Sequence, residues 1–124
     1  MPVMSIAALL AVTVMVVLCG TAQAATTLHT PIAFASGQSA CFVTNVDTRP
    51  ITVTVTMTDN SGNTLTSVVD SCNGTPLGPR RSCQFRPPPD ADGFCTVVSS
   101  SSKVRASLNI FGSDNLITVV PATK

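Results

Sequence analysis

The chain reads as all-β, an antiparallel β-sandwich of about seven or eight strands, preceded by the apolar helix of a secretory signal. Three observations carry that reading. Two runs, ITVTVTMT at 51–58 and KVRASLNIF at 103–111, alternate apolar and polar residues, the period of a strand with one buried face. No helical stripe follows the N-terminal segment, and with no Glu and abundant Thr, Val and Ser the helix propensity is low. Turn signals at short intervals then favour two packed sheets over any layered helical design.

The N-terminus is apolar from Ile6 to Leu18, and Ala22-Gln23-Ala24 follows. A bilayer-spanning helix needs about 20 apolar residues, whereas a secretory signal has a shorter core and an A-x-A cleavage site. Residues 1–24 are therefore expected to be a signal peptide, and 25–124 a single disulfide-stapled domain, secreted, extracellular or periplasmic. Lipidation at Cys19 is the competing fate, although Leu18 stands where that signal wants a small residue. The segment carries no charged side chain, so the mature chain keeps seven Lys or Arg against six Asp. That near-neutral sum offers no electrostatic footprint for nucleic acid or an anionic membrane, and no membrane span is expected after signal removal.

Along the mature chain, Leu28 to Ala35 and Ala40 to Val46 are the first strand candidates. The clearest strand follows, with Ile51, Val53, Val55 and Met57 on one face and Thr52, Thr54, Thr56 and Thr58 on the other. Asp59-Asn60-Ser61-Gly62 makes a turn, since Asp accepts from the local backbone and Gly takes a positive φ. Thr64 to Val69 is the expected returning strand. Cys83 to Arg86 and Phe94 to Ser99 are shorter strands, separated by FRPPPDADGF, whose prolines remove backbone donors and which is expected to be the loosest segment. Ser99 to Ser102 reads as a flexible link joining two adjacent strands. Val104, Ala106, Leu108 and Ile110 then share a face opposite Lys103, Arg105, Ser107 and Asn109, and a turn at Gly112 to Asn115 leads to Leu116 to Val120, closed by Pro121.

Cys41, Cys72, Cys83 and Cys95 remain after the signal, an even set that implies two disulfides in a secreted chain. Spacing alone leaves all three connectivities open. A zinc site is not expected, because no C-x-x-C pair occurs and His29 is the single histidine.

The segments ACFVTNVDTRPITVTVTMTDNSGNTL and GFCTVVSSSSKVRASLNIF resemble immunoglobulin-like sandwiches, in which a cysteine of an early strand bridges to one of a late strand across the core. The chain as a whole resembles small secreted bacterial proteins with a single sandwich of this type, many without an assigned activity. The resemblance covers most of residues 28–120 and implies pairing of Cys41 with Cys95, which leaves Cys72 with Cys83. It departs in lacking both the core tryptophan and the tyrosine near the second cysteine, so it implies architecture and not membership. Bridges over those separations contribute about 4 and roughly 3 kcal/mol in the chain-entropy model, comparable with the ~5–15 kcal/mol of a whole small domain. Both are structural staples first.

With that pairing, CNGTPLGPRRSC becomes a closed loop that presents Arg80 and Arg81. A constrained backbone lowers the entropy cost of binding, and guanidinium groups fork onto carboxylate, sulfate or phosphate. Arg86 is expected to join the same surface. The bland reading is a solvated connecting loop. Asn73-Gly74-Thr75 fits an N-glycosylation acceptor, and RPPP a polyproline spacer or ligand. No catalytic constellation is evident: the six Asp are scattered in turns, and His29 has no Glu or second His to work with. The expectation is a non-catalytic, cofactor-free binding or structural module whose partner is an extracellular protein or glycan. The alternative is a protease inhibitor that offers Arg80 or Arg81 to a trypsin-like pocket.

Overall fold

The computed structural model describes residues 24–33, 37–112 and 116–124, without the side chains of 116 and 117; the expected signal peptide up to residue 23, Cys19 included, lies outside them. The chain forms β1 (Thr26–His29), β2 (Gln38–Asn45), β3 (Val53–Thr58), β4 (Val69–Asp70), β5 (Ser82–Arg86), β6 (Phe94–Ser99), β7 (Val104–Phe111) and β8 (Leu116–Pro121). All ladders are antiparallel, in one three-stranded sheet of order β1-β6-β3 and one five-stranded sheet of order β4-β5-β2-β7-β8. Among the described residues there is no helix, hence none able to cross a membrane.

Alternation decides the layers. Ile51, Val53, Val55 and Met57 are buried while Thr52, Thr54 and Thr56 are exposed, and Val104, Leu108 and Ile110 are buried opposite the exposed Arg105. Cys41 and Val43 of β2, Phe85 of β5 and Val97 of β6 complete the core between the sheets. Met57, Leu108, Val43 and Val97 are among the largest fully buried side chains, each worth about 1.5–3 kcal/mol relative to exposure. The Cys41–Cys95 disulfide crosses that core from β2 to β6, and Cys72–Cys83 ties the start of the β4–β5 connection to β5. Two disulfides suit an oxidising compartment, extracellular or periplasmic.

Three sequence expectations need correction. Thr64 to Val69 does not return alongside β3: the hairpin closes with one bridge, Thr58 to Thr64, and one bond from the Leu65 amide to the Met57 carbonyl. The chain then leaves for the other sheet, where Val69 and Asp70 pair with β5. FRPPPDADGF is held rather than loose. Pro87 is fully buried, the Asp90 amide donates to the Gly37 carbonyl at 2.6 Å and the Asp90 carboxylate accepts from the Gly37 amide at 2.7 Å. Gly37 sits at φ 133°, where a Cβ would run into the Phe111 carbonyl, so only glycine fits that approach. The serine run is a corner between the two sheets, with Ser99 and Ser101 buried and Ser100 and Ser102 exposed, not a flexible link between neighbours. Ser101 is wholly buried; its hydroxyl donates to Asp47 Oδ2 at 2.8 Å and accepts from the Lys103 amide at 3.1 Å.

Sheet edges invite pairing with other chains, and both edges of the three-stranded sheet are partly covered. Outside β3, Ile51 bonds both ways with Leu77, and the Asn73 side chain takes the place of a strand residue. Its Oδ1 accepts from the Val55 amide and its Nδ2 donates to the Val55 carbonyl, at 2.8 and 2.9 Å. A glycan on Asn73 Nδ2 would remove this edge cap. Outside β1, His29 bonds both ways with Thr123, so the C-terminal segment continues past Pro121 and links the two sheets.

The chain-entropy model sets the expected cost of cutting each staple. Cys41→Ala/Cys95→Ala should lower unfolding free energy by about 4 kcal/mol and Cys72→Ala/Cys83→Ala by roughly 3 kcal/mol, read by urea denaturation. A smaller loss for the long bridge than for the short one would contradict its place across the core.

Candidate functional site

Asn45, the last residue of β2, organises one end of the molecule. Its side chain is fully buried, and Nδ2 donates to the carbonyls of Arg49, Leu77 and Gly78 at 2.8, 2.9 and 3.1 Å while Oδ1 accepts from the Asp47 amide at 2.8 Å. Its backbone is committed as well: the amide donates to the Arg81 carbonyl and the carbonyl accepts from the Arg80 amide, both at 3.0 Å. One side chain and one peptide unit thus tie the β2–β3 connection to the arginine loop. Asp47 beside it is also buried, accepting from the Thr48 amide and the Ser101 hydroxyl.

The loop itself is a tight turn. The Arg81 amide bonds the Gly78 carbonyl at 3.2 Å, with Pro79 second and Arg80 third at φ 57°. Proline followed by a positive φ is the type II pattern, whose third position is normally Gly or Asn. An arginine there carries backbone strain of about 1–2 kcal/mol that the surrounding bonds must offset. Both arginine side chains are exposed.

The other end of the closed loop is set by Asp70. Its Oδ1 accepts from the Cys72 and Asn73 amides, both at 3.0 Å, and its Oδ2 from Asn73 Nδ2 at 2.7 Å. Burial pushes its pKa up, but the Asn73 amide, the Asn73 side chain and the Cys72 amide outweigh it and hold the carboxyl below its ordinary value.

Arg86 does not join Arg80 and Arg81. It ends β5 while they precede its start, about 17 Å apart at the rise of a strand, and its Nε is buried without a hydrogen-bond partner. The residues that do neighbour the arginine turn are Lys103 and Arg105. The Lys103 carbonyl accepts from the Val46 amide, and Arg105 lies opposite Thr44, whose hydroxyl shares a 2.8 Å hydrogen bond with that of Ser82. β5 and β7 flank β2, so the two basic pairs stand two strand spacings, about 10 Å, apart. The outward half of the KVRASLNIF alternation was the signal for Lys103 and Arg105, but nothing in the sequence sets them beside the loop. On the outer sheet face below, two shallow hollows of about 220 and 160 Å³ flank Phe42, lined by Ser71, Ser82 and Gln84 on one side and by Thr44, Arg105 and Ser107 on the other. His29 lies elsewhere, on β1, with Nδ1 3.1 Å from Thr96 Oγ1.

Two variants separate the anchor from what it presents. Asn45→Ala takes the side-chain partner from the Arg49 carbonyl and the Asp47 amide, while the Leu77 and Gly78 carbonyls keep the Ile51 and Arg81 amides; at about 1–3 kcal/mol for each buried group left unpaired, it should lower the urea midpoint. Arg80→Gly, which suits the positive φ, should leave the midpoint unchanged or raise it; a loss as large as that of Asn45→Ala would contradict the strained turn. Acid should also weaken the fold. A carboxyl depressed in the folded state contributes stability above its unfolded pKa, near 3.8 for Asp70, and loses it as pH falls through the folded value. Asp70→Asn should therefore flatten the decline in melting temperature below about pH 4; an unchanged decline would contradict this assignment.

No family model matches the chain, and neither a curated protein nor a solved structure matches it.

Proposed function

We propose that the protein is a secreted or cell-surface β-sandwich that acts by binding and not by catalysis, through the end that carries the Gly78-Pro79-Arg80-Arg81 turn. The observation that supports this most is the strained, exposed Arg80, held by Asn45 on one side and by the Cys72–Cys83 staple on the other. Strain kept at an exposed residue points to a role for its side chain. A turn rigid before binding also loses little entropy on contact.

An immunoglobulin-like arrangement of the central strands accompanies this reading. The long bridge joins the second and sixth strands across the core, and the neighbours β4-β5-β2 and β6-β3 follow the D-E-B and F-C order of such domains. β1 and β7 exchange places relative to that order, with β1 beside β6 and β7 beside β2. The inhibitor alternative finds less support. A protease pairs with an extended segment, whereas the Arg80 amide and the Arg81 carbonyl are already consumed by Asn45.

The test is binding of the fluorescently labelled secreted protein to cells of its producing organism. Saturable binding, at least tenfold weaker for Arg80→Asn/Arg81→Ser at unchanged melting temperature, is the expected result, about 1.4 kcal/mol or more. Asn tolerates the positive φ. Equal binding by the variant, or stoichiometric inhibition of trypsin by the wild type, would overturn the proposal.

A further inference from the structure

The near-zero net charge conceals a separation. Connections of an antiparallel sandwich alternate between its two ends, and five of the seven Lys and Arg residues follow one set of them, whereas Arg86 ends β5 at the other end. Arg49 lies on the β2–β3 connection, Arg80 and Arg81 on β4–β5, and Lys103 on β6–β7, with Arg105 two residues further on; all five are exposed. Of the five described Asp carboxylates, Asp47 lies on this end, Asp70 on β4 and three at the other end. Asp59 follows β3, and Asp90 and Asp92 fall on β5–β6, all at the opposite end. Asp47, on the basic end, is buried and hydrogen-bonded to Ser101 and Thr48. β2, with eight residues, spans the molecule between these ends, about 25 Å at the rise of a strand and some three screening lengths at physiological salt. At that distance the acidic end does not cancel the basic one.

We propose that the basic end binds an anionic polysaccharide, a chain bearing sulfate or uronic carboxylate groups. The inference rests on the binding reading above and names the partner's chemical class. A polymer suits the geometry better than a single small anion. Each exposed charge contact is weak, but Arg80–Arg81 and Lys103–Arg105, about 10 Å apart on either side of β2, can be met together by one chain, so that the second contact is intramolecular. Arginine forks onto sulfate and carboxylate alike. The disulfides place the partner outside the cytosol, which favours a surface or matrix glycan over nucleic acid. A second copy of this chain is a poorer partner, because the Asp59 carboxylate already accepts three hydrogen bonds from Ser61 and Asn63, and that of Asp90 one from Gly37.

The experiment is calorimetric titration of the secreted, disulfide-intact protein with dextran sulfate, polygalacturonate and uncharged dextran. The expected result is binding to both anionic polymers but not to dextran, at least about a hundredfold weaker at 300 than at 50 mM salt for four cationic contacts, by loss of counterion release. Arg80→Asn/Arg81→Ser and Lys103→Ser/Arg105→Ser should each weaken it about tenfold, while Asp59→Asn/Asp90→Asn leaves it unchanged. Equal affinity for uncharged dextran, or no binding to either anionic polymer, would overturn the proposal. So would self-association abolished by the basic and the acidic variants alike, which identifies a second copy as the partner. If the protein binds its producing cells through these arginines but with no dependence on salt, and binds neither anionic polymer, the polyanion assignment fails while the binding role stands. Binding to neither cells nor polymers removes both.

Discussion

Asn45 is the constraint on which the end that carries the arginine turn depends. A buried amide group is costly unless its donors and acceptor are satisfied, and here they are satisfied only if two separate connections close on it. Its two amide hydrogens are shared among the Arg49 carbonyl of one connection and the Leu77 and Gly78 carbonyls of the other, while its oxygen accepts from the Asp47 amide. Once both connections close, the Arg80 amide and the Arg81 carbonyl are fixed by the same residue's backbone. The arginine turn is therefore rigid for a reason internal to the fold, and the Cys72–Cys83 bridge adds a second restraint at the other side of the loop.

The two staples act at different levels. Cys41–Cys95 fixes the distance between the sheets, whose shared core contains no Trp or Tyr and a single buried aromatic ring, Phe85, among Met, Leu, Ile and Val. Cys72–Cys83 fixes a connection that has almost no regular pairing of its own, since β4 is two residues long. Between them, Asn73 spends its side chain on the edge of β3 and, through Nδ2, on Asp70. The loop is thus bound to both sheets.

Much of the fold was legible because burial imposes a period of two. Residues 51–57 and 104–110 show it in the sequence and in the layers alike. Periodicity does not say which sheet a strand joins, however, and that is where the reading of Thr64 to Val69 failed: its Thr, Ser and Val residues suit a strand, but the chain must cross to reach β5. Composition misled at Ser99 to Ser102 for a related reason. Serines are small enough to be buried when a carboxylate such as that of Asp47 accepts from them, and a run of them looks flexible only while that partner is unknown. At the candidate site, Arg80 and Arg81 stood out as a pair between cysteines. Asn45 did not, because its importance lies in contacts 32 and 33 positions away, nor did the neighbourhood of Lys103 and Arg105, which β2 mediates. Arg86 was misplaced because five residues are close in sequence and far apart along a strand.

The central claim is that an exposed arginine turn is held as firmly as a core strand. Amide hydrogen exchange by NMR measures this directly, since protection reports the free energy of local opening. The account predicts that the amides of Arg80 and Asn45, each in a hydrogen bond to the other segment, exchange as slowly as those of β2 and β7 in the wild type and lose that protection in Asn45→Ala. Exchange of Arg80 at the rate of an unprotected loop in the wild type would contradict it, and with it the idea that the fold builds this end in order to present the two arginines.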